Sequence, residues 1–206
     1  MNQERKRHWD GVYDRAAETR LGWFQETPAI SLELAEIAGL RANTSVIDIG
    51  GGASRLIDHL IGRGLHDLSV LDLSRNALDA ARRRLGERTE EVNWIASDIT
   101  LWSPTREYDL WHDRAVFHFL TDPDSRAAYL SRLDRCLGPG GHAIIATFAP
   151  DGPETCSGLP VVRYSPDSLA ETLGGRFTLL THRFSLHHTP GGKPQSYQFS
   201  LFRKDG

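Results

Sequence analysis

The run Val46-Ile47-Asp48-Ile49 breaks on Gly50-Gly51-Gly52-Ala53-Ser54, and a second apolar run, Val70-Leu71-Asp72-Leu73-Ser74, follows. Short apolar runs closed by glycine or serine suit strands buried on both faces of a sheet. Glycines lack a Cβ, so a turn made of them can approach a ligand closely, and the helix that follows presents unpaired N–H groups there. An acid at the carboxyl end of the next strand, about twenty residues on, can accept hydrogen bonds from both hydroxyls of a ribose. Together these features predict an α/β sheet with a nucleoside-cofactor site at the ends of its first two strands.

The flanking sequence alternates in the same way. Residues 2–19 carry Trp9, Val12 and Tyr13 at helical spacing, and Gly22-Trp23-Phe24-Gln25 interrupts the pattern. Pro28 opens a second helix through Ile30, Leu34 and Ile37. Strands are expected at 45–49, 68–73, 92–96, 108–112 and 142–148. Between them, Leu56, Ile57, Leu60 and Ile61 mark one helix face, and Ala77, Leu78, Ala81 and Leu85 mark another, capped by Ser74. The Arg82–Arg84 run reads as a solvated face. Asp122-Pro123 opens a helix with Leu130, Leu133 and Leu137 inward, ending at Gly138-Pro139-Gly140-Gly141. After a short helix from Ser165-Pro166, the runs 177–186 and 195–203 flank Thr189-Pro190-Gly191-Gly192, a hairpin signal. Strands alternating with helices imply a parallel sheet covered on both faces, here finished by an antiparallel pair.

Composition narrows the classes. With 206 residues, 39% hydrophobic and 25% charged, the chain reads as one ordinary globular domain. A formal charge of −3 disfavours nucleic-acid or membrane-surface binding. No run approaches a membrane span, and the polar amino terminus lacks a signal-peptide core. Cys136 and Cys156 form neither a metal pair nor a disulfide framework, so a cytoplasmic, reduced protein is expected.

The glycine turn alone would also admit an NAD-dependent oxidoreductase, but Arg55 stands where a G-x-G-x-x-G turn needs its third glycine. Further matches come in order along the chain: Val46–Ser54, Asp72, Asp98 in Ile95-Ala96-Ser97-Asp98-Ile99, Tyr108–Leu120, and Leu137-Gly138-Pro139-Gly140-Gly141. On these the chain resembles the class I S-adenosylmethionine (SAM)-dependent methyltransferases over nearly its whole length. Ser54 departs from the third glycine of many members, and a serine there suits a helix cap. The segment Trp9-Asp10-x-x-Tyr13 with Gly22-Trp23-Phe24-Gln25 is also similar to the lids of thiopurine, thiol and elongation-factor lysine methyltransferases.

The resemblance implies a Rossmann-like three-layer sandwich: a mostly parallel seven-stranded sheet with a carboxyl-terminal antiparallel hairpin. It implies residues 1–40 as helical lid and first helices, 45–148 as the cofactor-binding core, and 149–206 as the acceptor-side loop and hairpin. SAM is the implied cofactor. Asp48, Gly50, Gly51, Gly52, Asp72 and Leu73 are its expected first contacts. Asp98 and Ile99 belong at the adenine, and His112 and Asp113 at the methionine part. Trp23 and Gln25 either cover that end or are simply a packed segment. If the acceptor must lose a proton, His118 is the first candidate base and Asp113 the second; the alternatives are a backbone hydrogen bond for His118 and an Asp113–Arg114 pair. Cys156, Arg163 and Tyr164 are expected to border the acceptor pocket. His187 and His188 lie adjacent on a strand and so point to opposite faces, which argues against a shared metal. The acceptor is expected to be a small molecule, or else a protein side chain; a non-catalytic SAM-binding module is the remaining alternative.

Overall fold

The apolar runs of the core become strands, and each acid or glycine that ends one lies at the same edge of the sheet. The computed structural model describes residues 2–206, so Met1 of the expected lid lies outside the described residues. The chain runs α1 (Asn2–Arg15), a short 3-10 turn (Glu18–Arg20), α2 (Ala29–Ile37), β1 (Val46–Ile49), α3 (Leu56–Gly62), β2 (Leu68–Asp72) and α4 (Arg75–Leu85). It continues with β3 (Val92–Ala96), β4 (Tyr108–Arg114), α5 (Pro123–Cys136), β5 (Leu137–Phe148), the two-residue strands β6 (Thr155–Cys156) and β7 (Leu159–Pro160), α6 (Pro166–Leu173), β8 (Phe177–His188) and β9 (Pro194–Lys204).

Seven strands form one sheet in the order β3-β2-β1-β4-β5-β9-β8, with β6 and β7 paired separately. β1 to β5 run parallel, and β9 is antiparallel to both β5 and β8. The expected Rossmann-like three-layer sandwich with its terminal hairpin is therefore the fold. Alternation along β1 sorts its side chains between two cores. Val46 packs with Leu60, Val70 and Leu110 beneath α2 to α4. Ile47 and Ile49 pack with Trp111, Tyr129, Leu133 and Leu169 beneath α5 and α6.

Caps fall where the sequence puts them. Ser74 Oγ accepts from the Ala77 N–H, Asp122 accepts from the Ser125 N–H, and Ser165 with Ser168 forms a capping box. The last strand before the hairpin departs from expectation. β5 begins at Leu137 rather than His142, and its pairing with β4 jumps from Tyr108↔Leu137 to Leu110↔His142. The Gly138–Gly141 segment is thus a bulge on a longer strand, with Gly140 at φ +83°. Leu137 is buried, but in this strand; on α5 the inward residues are Tyr129, Leu133 and Cys136, with Leu130 half-buried.

Arg84 corrects the reading of Arg82–Arg84 as solvated. Its guanidinium binds both oxygens of Asp58 at 2.9 and 2.8 Å, Glu18 at 2.7 Å and the Ser54 carbonyl at 2.7 Å. The physical reason is the forked geometry of arginine, which lets one side chain on α4 tie α3, the glycine turn and the segment after α1 together.

Candidate functional site

From β1 the neighbouring strands run out in both directions, β2 and β3 one way and β4 and β5 the other. Such a switch point leaves a crevice beyond the carboxyl ends of the strands. A cavity of about 1020 Å³, open mouth included, lies there. Its wall takes Asp48 to Gly51 from the end of β1, Leu71 to Leu73 from β2, Ser97 to Ile99 after β3, and His112 and Arg114 to Val116 from β4.

The floor is polar and fully assembled. His112 Nδ1 faces Asp48 Oδ1 at 2.7 Å, and Ser31 Oγ of α2 meets Nε2 at 2.8 Å. A carboxylate only accepts, so the imidazole donates through Nδ1. The other oxygen, Asp48 Oδ2, is buried without a partner. Above it the glycine turn has no room for side chains. A Cβ on Gly51 would lie 2.4 Å from Asp48 Oδ2, and one on Gly50, at φ +66°, 2.1 Å from Val116 Cγ2. Ser54 Oγ accepts from the Leu56 N–H at 3.2 Å, so the serine does serve the start of α3.

Asp72 accepts from the Ser74 N–H at 2.7 Å and lines the cavity. Burial pushes its carboxyl up to about 7, helped by the charges of Asp48 and Asp10, while the N–H groups of Ser74 and Gly52 pull it down. Gly52 does not line the cavity; a Cβ there would sit 2.6 Å from Asp72 Oδ2. Asp98 is anchored by the Thr100 N–H and hydroxyl at 2.8 and 2.7 Å through one oxygen, and Leu73 and Ile99 complete this end.

Helix α1 roofs the cavity. Asp10 accepts from Ser74 Oγ at 2.7 Å, and Asp14 accepts from Asn76 at 2.8 Å, which docks the helix over the start of α4. Trp9 packs edge-on against Trp23 and Phe119, with ring centres 5.6 and 5.2 Å away, and Tyr13 meets Trp23 at 6.0 Å. All four rings line the cavity. His187 Nε2 donates to the Gly22 carbonyl at 2.8 Å and holds this segment to β8.

Several expected residues serve other purposes. Gln25 does not reach the cavity; its Oε1 accepts from Arg114, and Arg114 also donates to the Trp23 carbonyl, each at 2.9 Å. The alternative Asp113–Arg114 pair does not form either. Asp113 is fully buried and turned away, accepting from the Val116 and Phe117 N–H groups at 2.8 and 3.0 Å and from the Tyr129 hydroxyl at 2.6 Å. It shapes the β4 loop, where Ala115 takes φ +72°. Burial pushes Asp113 up to about 6, against the pull of Tyr129.

His118 is likewise buried away from the cavity, between Phe119 and Phe148, with Nδ1 accepting from the Phe148 N–H at 3.4 Å and Nε2 unpartnered. An apolar cage cannot host an imidazolium, and burial pushes the ring down to about 3. Neither candidate base faces the cavity. Cys156 does line it, but Tyr164 packs against Phe117, and Arg163 binds the Gly152 carbonyl and Glu154. Reading by motif passed over Phe119 and Arg5 in the wall and Ser31 beneath it, and named Arg114 only as an alternative partner of Asp113; the aromatic roof was signalled by the spacing of Trp9 and Tyr13 and by Trp23.

The neutral state of His118 has a testable sign. Its proton affinity is lower in the fold than in the unfolded chain, so stability is full above the ordinary 6.5 and drains as pH falls toward about 3. His118→Phe is expected to flatten that acid limb in urea-denaturation midpoints. It should leave any activity step near neutral pH in place; a lost step would return His118 to the chemistry.

Residues 46–141 match a family model described as methyltransferase domain. Malonyl-[acyl-carrier protein] O-methyltransferase 2 of Ilyobacter polytropus is 25% identical over 52% of this chain and 40% of its own length. The EEF1A lysine methyltransferase 2 of Danio rerio is 26% identical over 69% of this chain and 67% of its own length. The chain thus spans less than half the length of the first relative. Among solved structures, the N-methyltransferase NodS of Bradyrhizobium japonicum in complex with S-adenosylhomocysteine superposes with a TM-score of 0.73. At 20% identity, over 96% of this chain and 98% of that one, it speaks to the fold.

Proposed function

We infer that this chain, whose residues 46–141 are a class I SAM-dependent methyltransferase domain, transfers a methyl group from SAM to a small-molecule acceptor. The observation that carries the reading is the convergence of Asp48, Asp72 and Asp98 with the glycine turn on one cavity at the switch point. The residues fit the cofactor. The buried, unpartnered Asp48 Oδ2 calls for a donor, and the turn around it admits no Cβ. Asp72 would hold the ribose hydroxyls and Asp98 the adenine edge. When bound, the cofactor supplies an activated methyl group on a sulfonium. The chain's part is to bind, align and exclude water. The rings of Trp9, Tyr13, Trp23 and Phe119 offer a low-polarity wall that tolerates a cation.

The same roof supports a small acceptor over a protein side chain, because Trp9 and Tyr13 of α1 and Trp23 form part of the cavity lining. The lysine methyltransferase of Danio rerio keeps the protein-acceptor reading as the second one. We place residues 1–40 as the lid, 45–148 as the cofactor core and 149–206 as the acceptor side. Two free, buried thiols suit a reducing, cytoplasmic setting.

S-adenosylhomocysteine at a hundredfold its dissociation constant should stabilise the fold by about 2.7 kcal/mol, a rise of roughly 5–10 °C in melting temperature. NAD should give none. Labelled methyl from SAM should enter the small-molecule fraction of a lysate. No thermal shift in a folded sample would sink the reading; label only in the macromolecular fraction would favour the protein acceptor.

A further inference from the structure

Arg114 stands in the cavity wall with no direct ion-pair partner among the described residues. It sits at the end of β4, partly buried, and lines the cavity. A guanidinium carries five N–H donors. Here the protein engages it through Gln25 Oε1 and the Trp23 carbonyl, both neutral, and no ion pair to it forms among the described residues. The two bonds fix the plane of the fork and leave its remaining donors for a ligand. A second guanidinium, Arg5, lines the same cavity and donates to the Phe119 carbonyl at 3.1 Å. The acids Asp72 and Asp98 stand on the β2–β3 side, and the cations Arg5 and Arg114 line the wall built from α1 and β4. Asp48 of β1 lies between the two sides, and its charge acts on Arg114 without a direct bond.

We propose that Arg114 is the carboxylate-recognition residue of this cavity, receiving a ligand carboxylate on a fork that Gln25 and the Trp23 carbonyl hold in place. A planar fork matches a carboxylate with two parallel bonds, and a partly buried cation bonded only to neutral groups gains from meeting one. This gives Gln25 a different task from the one its sequence suggests, since it positions the arginine and does not touch the ligand. The proposal rests on the SAM-site reading above, and two sources share its chemistry: the amino-acid carboxylate of the cofactor, or a carboxylate on the methyl acceptor.

The test uses Arg114→Gln and Arg114→Lys, each first checked for an unchanged cofactor-free melting temperature; Arg114→Lys keeps the charge without the fork and serves if the glutamine variant does not fold. Calorimetry compares S-adenosylhomocysteine with 5′-methylthioadenosine, which lacks the amino-acid carboxylate. Cavity tryptophan fluorescence then follows benzoate, against neutral benzyl alcohol, binding to the S-adenosylhomocysteine-saturated protein. If the cofactor is the source, Arg114→Gln weakens S-adenosylhomocysteine 10- to 100-fold, Arg114→Lys less, and methylthioadenosine stays within about twofold. If the acceptor is the source, both nucleosides bind as in the parent and saturable benzoate binding is lost. Equal weakening of both nucleosides would mean that Arg114 only braces the Trp23–Gln25 segment, and no change in any ligand would deny it a role; either overturns the proposal. A parent protein that binds neither nucleoside removes the SAM reading, and the proposal with it.

Discussion

Asp72→Asn is expected to weaken S-adenosylhomocysteine binding about 10- to 100-fold while making the cofactor-free protein more stable at neutral and alkaline pH. The two effects share one cause. Asp72 lies at the end of β2, 7% exposed, with Asp48 and Asp10 near enough to oppose its charge. Its carboxyl titrates at about 7 against an ordinary 3.8, so the fold holds the proton more tightly than the unfolded chain does. Stability is then full below about pH 4 and lost as pH rises through about 7, by up to about 4 kcal/mol in the limit. Asparagine keeps an oxygen for the Ser74 N–H and carries no charge, so the variant's stability should stay flat across that window. Ribose hydroxyls need the acceptor strength of the ionised carboxylate, which the amide lacks. Urea-unfolding free energies from pH 4 to 8, read beside calorimetric affinities, check both halves. Unchanged affinity would take Asp72 out of the site, and an unchanged pH slope would mean that other carboxyls, Asp113 foremost, carry it.

Gly50→Ala should be the most damaging single change in the glycine turn. A side chain at φ +66° costs about 1–3 kcal/mol in backbone strain alone. The new methyl would also fall 2.1 Å from Val116 Cγ2, well inside contact distance, and overpacking of that kind costs about 1–3 kcal/mol more. The loss of stability is expected to reach roughly 2–6 kcal/mol, with the cofactor site distorted because Gly50 and Val116 both line it. Val116→Ala in the same chain removes the clash and not the strain. The double variant should therefore regain part of the loss, with a coupling of about 1–3 kcal/mol in a double-mutant cycle. Purely additive effects would mean that the turn relaxes elsewhere and that the close approach does not define it.

The fold was largely legible because its signals are local. Val46–Ile49, Leu68–Asp72 and Val92–Ala96 are apolar runs with punctuation at both ends, and Ser74, Asp122 and Ser165 cap where short polar side chains meet a helix start. The start of β5 was not legible, because Gly138-Pro139-Gly140-Gly141 has the composition of a turn; only pairing with β4 makes it a bulge. In the cavity, the motif acids Asp48, Asp72 and Asp98 are where the spacing puts them, since Asp48 lies near the end of β1, Asp72 ends β2 and Asp98 follows β3 by two residues. His118 and Asp113 were misread for one reason. Their residue types suit proton transfer, but which way a side chain faces after a strand depends on the loop. Here the positive φ of Ala115 and the bonds from Val116 and Phe117 draw Asp113 inward. Arg114 was paired with the wrong neighbour because sequence adjacency suggests Asp113; its actual partners, Gln25 and the Trp23 carbonyl, are about ninety residues away.

The wall of the cavity also contains a sulfur nucleophile. Cys156 stands in β6, half of a tight pair with β7 whose turn residues Ser157 and Gly158 both have positive φ. A thiolate there would compete with the acceptor for an electrophilic carbon and would inactivate the protein one alkylation at a time. Burial pushes the thiol up to about 11, so near neutral pH only about one molecule in ten thousand carries the reactive form. If the chain handles an activated methyl group as proposed above, the low-polarity surroundings of Cys156 would serve as chemical insulation against its own alkylation.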